Sequence, residues 1–105
     1  MTDHLWMAAF ETDVGKSDHL IFHGFGSTKE SALDEINRRW TEYIEDRMLN
    51  GKPCRYNYGY FKECIAVGDP RIHAIELISP DHITHSLLNY DQHFNVVEWI
   101  KKLRK

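Results

Sequence analysis

The chain has no long hydrophobic run. No apolar stretch approaches the roughly 20 residues that a bilayer-spanning helix needs, so no membrane span is expected. The opening residues Met1-Thr2-Asp3-His4 lack the basic start and apolar core of a signal peptide, and the protein is expected to stay in the cytoplasm. Cysteine is scarce: Cys54 and Cys64 are the only two, enough for a single disulfide and, without an export signal, expected to be reduced thiols. An excess of one charge is lacking too. Thirteen Lys and Arg against 16 Asp and Glu leave a net charge of −3, which neither draws phosphate backbones nor imitates them, so nucleic acid is not an expected partner. Internal repeats, low-complexity tracts and linkers are absent.

What is present is ordinary globular composition. With 105 residues, 42% hydrophobic and 28% charged, the chain reads as one domain over residues 1–105 that buries its own core without metals or disulfides.

The stretch from Ser27 to Gly51 organises the rest. Ser27-Thr28-Lys29-Glu30 reads as a capping box, with the Ser27 hydroxyl accepting from the Glu30 amide. Asn50-Gly51 tolerates the left-handed backbone that closes a helix. Between them Leu33, Ile36, Trp40, Tyr43, Ile44 and Met48 recur every three or four residues, the buried side of an amphipathic helix. Asp34 with Arg38, Glu35 with Arg39 and Arg38 with Glu42 stand four apart on the other side and fit weak surface ion pairs.

Around this helix lie segments that read as hairpins. His4 to Phe10 and His19 to Phe25 are apolar runs joined by a polar turn from Asp13 to Asp18. The first run has no polar face, because Trp6, Ala8 and Phe10 alternate with Leu5, Met7 and Ala9, so both of its faces are expected to be covered. Phe61 to Val67 and Ile72 to Ile78 read as a second hairpin about the turn Gly68-Asp69-Pro70-Arg71. Ser79-Pro80-Asp81 suits the start of a short helix, although His82 to Leu88 also suits an extended chain. Phe94, Val97, Ile100 and Leu103 stand three apart, with Val96 and Trp99 beside them, and predict a C-terminal helix ending in cations. The expected fold is α+β, in the order ββαββ(α)α. A sheet of about four mainly antiparallel strands carries the long helix on one face, with the C-terminal helix near it.

Motifs that carry chemistry are few. Seven histidines raise the question of a metal, and His82, His85 and His93 with Asp81 and Asp91 are the best candidates, yet their spacing matches no strong zinc motif. Cys54, Cys64, Ser31 and Ser86 are the possible nucleophiles. Cys64 sits in an apolar segment where a thiol is an inert small hydrophobe, and Cys54 stands beside Arg55. There is no nucleophile elbow and no paired-carboxylate motif, and Gly24-Phe25-Gly26 lacks the remaining glycine and basic residue of a phosphate loop, so it reads as a structural bend. No cofactor is expected. The segment from Arg55 to Lys62 is unusual for a connection, because Tyr56, Tyr58 and Tyr60 alternate along it. In an extended chain they form one aromatic strip of the kind found at interfaces; packed down, they cover the end of the long helix.

The junction Gly24-Phe25-Gly26-Ser27-Thr28-Lys29-Glu30-Ser31-Ala32-Leu33-Asp34-Glu35-Ile36 resembles the strand-to-helix junction of HicB-like antitoxins, with glycine, a polar residue, threonine, acidic residues and then alanine-leucine. Asp13-Val14-Gly15 is similar to their aspartate-proline-glycine element, without the proline and farther from Gly26. The resemblance covers about a quarter of the chain, and no C-terminal DNA-binding segment accompanies it. The junction, small size, acidic balance and missing catalytic signature are also similar to anti-CRISPR inhibitors among phage and mobile-element proteins. That resemblance implies a small inhibitor and transfers no functional residue.

The expected function is therefore non-catalytic: a small regulator or inhibitor that binds a larger protein, and possible homodimer, through Arg55, Tyr56, Tyr58, Tyr60 and Lys62. The alternatives are a metal-dependent hydrolase or nuclease using His82, His85 and His93, and a nucleic-acid module using the basic tail from Lys101 to Lys105 with the tyrosines.

Overall fold

In the computed structural model the described residues are 5–12, 20–52, 56–77 and 96–103. Leu5–Thr12 (β1) is the centre of a three-stranded sheet. Leu20–Gly26 (β2) and Ile72–Leu77 (β3) flank it, both antiparallel to it, in the order β2-β1-β3. Between β2 and β3 the chain makes two helices, Lys29–Leu49 (α1) and Tyr60–Val67 (α2). Val96–Leu103 (α3) follows. No helix among the described residues is long and apolar enough to cross a membrane.

The missing polar face of β1 has a direct structural cause. Ala8 and Phe10 belong to one buried cluster with Ala32, Ile36, Trp40 and Ile44 of α1 and Phe61 and Cys64 of α2. Met7 and Ala9 belong to a second, with Leu77 of β3 and Val97 and Ile100 of α3. The sheet is thus covered on both sides, and β1 is apolar on both faces because each face meets a helix. The C-terminal helix packs on the sheet face opposite α1, not near it as expected. The side chains of Phe94, Val96 and Trp99 lie outside the described residues.

Two further expectations change at the ends of α1. The N-cap is Thr28 instead of Ser27. Its side chain accepts from the Ser31 amide at 3.0 Å, and the Thr28 amide donates to Ser31 Oγ at 3.0 Å, a capping box one residue downstream of the expected one. At the other end Met48 is exposed, although its spacing placed it on the buried side. A helix of 21 residues is about 31 Å long, longer than the eight-residue β1 at about 27 Å, and Ile44 is its last buried residue. On the exposed side the expected Arg38–Glu42 and Glu35–Arg39 pairs form at 2.6 and 3.3 Å, and Arg38 takes Glu35 at 2.5 Å in place of the expected Asp34.

Gly24 and Gly26 lie inside β2, so they form no bend; they are needed where α1 presses on the strand. A β-carbon at Gly24 would stand 2.7 Å from the Ala32 carbonyl oxygen, and one at Gly26 2.6 Å from the Ala32 nitrogen. Glycine lets the first turn of α1 sit directly on the backbone of β2.

The expected second hairpin is the main correction. Residues Tyr60–Val67 form a helix, so the described sheet has three strands and the order over the described residues is ββααβα. Phe61 and Cys64, three apart, are buried, while Lys62, Glu63 and Ala66 face solvent, a helical period. Gly68 ends the helix in the left-handed region at φ 67°, and its N–H donates to the carbonyls of Cys64 and Ile65. The turn expected at residues 68–71 is present beyond that cap, closed by the Ile72 amide donating to the Asp69 carbonyl at 3.1 Å. The polar turn after β1 and the segment from Ser79 to Tyr90 lie outside the described residues.

Candidate functional site

The tyrosine segment divides into a buried base and an exposed tip. Trp40, fully buried on α1, is the base. Its indole N–H donates to the Asn57 carbonyl at 3.0 Å, which satisfies the buried donor and ties the connection to the helix. Tyr56 and Tyr60 lie half-buried against Trp40, with ring centroids 5.4 and 5.8 Å away and 4.6 Å from each other. Phe10 meets Trp40 edge-on at 5.7 Å and Phe61 at 4.9 Å, so the cluster joins α1, α2 and the sheet.

Tyr58 stands apart, at the turn just before α2 begins. It is 44% exposed, and its hydroxyl lies 3.5 Å from the Met48 sulfur. Met48 is 60% exposed and Leu49 beside it 87%. The overhanging end of α1 and the tyrosine turn therefore present three apolar side chains together. Lys62 is exposed on α2, and Arg55 lies outside the described residues. Because Tyr60 starts a helix, the three tyrosines do not form one extended strip. Sequence reasoning missed Met48 and Leu49; the signal was a helix longer than any strand able to support it.

A second constellation has the composition of a catalytic centre and a different chemistry. Arg71 donates through Nε and Nη2 to the two carboxylate oxygens of Asp69, at 3.0 and 2.8 Å, and to the Tyr60 hydroxyl at 2.5 Å. Its guanidinium lies over the rings of Phe10 and Tyr60 at 5.4 and 5.5 Å, and Nη2 is 3.5 Å from the Cys64 sulfur. The side-chain and backbone hydrogen bonds from Arg71 bring the Asp69 carboxyl down to about 2, and the hydrogen bonds to Asp69 and Tyr60 push Arg71 up. Burial, followed by the Asp69 charge, pushes the Cys64 thiol up, which leaves the buried, unbridged thiol a poor nucleophile. These groups satisfy one another and fasten the start of β3 to α2. Ser31, another candidate nucleophile, has its hydroxyl engaged in the N-cap, where it donates to the Thr28 carbonyl at 3.0 Å.

No group of three His, Cys, Asp or Glu side chains among the described residues is arranged to hold a metal ion. Cys54, Ser86, His82, His85 and His93, with Asp81 and Asp91, lie outside the described residues. Comparison of the chain with protein-family models, with curated proteins and with solved structures found no match.

Proposed function

We propose that this domain is a non-catalytic protein-binding regulator or inhibitor that acts by occupying a surface of a larger protein. The observation that carries the reading is the exposed group formed by Met48, Leu49 and Tyr58 at the overhanging end of α1. Single exposed apolar residues are common on any protein, but adjacent ones around an aromatic on a rigid base make the kind of anchor on which interface energy concentrates. Trp40 and its tyrosines supply that base. Lys62, exposed on α2, remains a candidate contact from the sequence-based site, and Arg55 lies outside the described residues. The polar hub of Asp69, Arg71, Tyr60 and Cys64 supports the non-catalytic part of the reading, since its groups are spent on one another.

Affinity capture with the immobilised domain, comparing the unaltered chain with a Tyr58→Ser/Leu49→Ser variant, tests it. The expected result is a captured protein present with the first and lost with the second, while both melt at the same temperature. Equal capture by both would overturn the assignment of this surface.

A further inference from the structure

At the opposite end of α1 from this tip, a groove of about 210 Å³ opens between the helix start, the end of α2 and β3. Leu33, Ile65, Ile72 and Ala74 give it an apolar lining, and Lys29 and Asp69 are the charged residues among the described residues that line it. The two charges are not equivalent. Asp69 is committed to Arg71 through both carboxylate oxygens, whereas Lys29 has no hydrogen-bond or ion-pair partner among the described residues. Among the described residues, the groove therefore offers an occupant the Lys29 ammonium beside an aliphatic wall. Its volume is below the 300 Å³ or more usual for sites that enclose a whole cofactor or drug-sized ligand, and suits the end of a chain.

We propose that this groove takes the C-terminus of a peptide ending in an aliphatic residue, with the side chain against Leu33, Ile65 and Ile72 and the terminal carboxylate paired with Lys29. Burial of the aliphatic group supplies most of the affinity, and the ion pair, being exposed, supplies selectivity for the free acid. The site is separate from the Tyr58 tip, so either fails without the other.

The test is a titration of the isotope-labelled full chain, followed by amide chemical shifts, with acetyl-Gly-Ser-Gly-Val-Leu carrying a free carboxylate. The comparison probes are the same peptide as its C-terminal amide and one with glycine in place of the last leucine. The expected result is saturable shifts at Lys29, Leu33, Ile65 and Ile72, about threefold weaker binding for the amide, and roughly tenfold or greater loss for the glycine peptide. In Lys29→Gln, an exposed change that leaves the core intact, acid and amide bind alike. Absence of shifts at millimolar peptide, shifts confined to another surface, or equal binding of acid and amide by the unaltered chain would overturn the proposal.

Discussion

Tyr56 and Tyr60 on one side, and Tyr58 on the other, are the same residue type at alternating positions, yet they do opposite work. The first two pack on Trp40, and Tyr60 also lies under the Arg71 guanidinium and accepts from it through its hydroxyl. Tyr58 touches the exposed Met48 and projects toward solvent. The division follows from local backbone: the chain turns at residues 58–59 and enters α2 at Tyr60, so alternation along the sequence does not become a shared face. A tyrosine-rich segment is thus part core and part surface, and which tyrosine is which depends on where the helix begins.

The contrast breaks most severely at its base. Trp40→Ala removes the ring on which Tyr56, Tyr60, Phe10 and Phe22 converge and is expected to cost about 3 to 5 kcal/mol, read as a large drop in the denaturant midpoint. Next is the hub. Asp69→Asn is expected to cost about 1 to 2 kcal/mol at neutral pH, after allowance for solvent screening of a half-buried pair. The Asp69 carboxyl is held down to about 2 in the folded chain and lies near 3.9 when unfolded, so its contribution is complete above the unfolded value and is lost as pH falls through about 2. Thermal melts of the two proteins should therefore differ by several degrees at pH 5 to 7 and converge as the pH approaches 2. A gap that stayed constant over that range would mean the aspartate charge does not fasten β3 to α2.

Much of this arrangement is legible in the sequence, for reasons that also explain the misses. The apolar spacing in α1 has a period no strand shares, and the absence of a polar face on β1 announced that a second layer covers the sheet. Apolar patterning does not say on which face a later helix packs, so the sequence puts α3 near α1 without fixing its face. Ser27-Thr28 and Glu30-Ser31 offered two overlapping caps of equal chemistry, and the close approach of α1 to Gly24 and Gly26 is a tertiary fact that no local pattern carries. The segment of α2 reads as a strand because Ile65 and Val67 have β propensity, while the stronger signals are Phe61 and Cys64 three apart and a glycine cap at Gly68 with proline two residues beyond. The tyrosines stand out in the sequence by composition, whereas the exposure of Met48 and Leu49 beyond Ile44, the last buried residue of α1, is not carried by their spacing.

The smallest stability effect is expected where the binding effect is largest. Tyr58→Ala should change folding stability by no more than about 0.5 kcal/mol, and Tyr60→Ala by about 2 kcal/mol or more. The most direct measurement is therefore made on these two variants together, with melting temperature and capture of the partner read on the same samples. The account predicts that Tyr58→Ala melts with the unaltered protein and loses the partner, while Tyr60→Ala melts lower and, below its melting point, retains it. Tyr58→Ala retaining full capture, or Tyr60→Ala losing capture with unchanged melting, would contradict it.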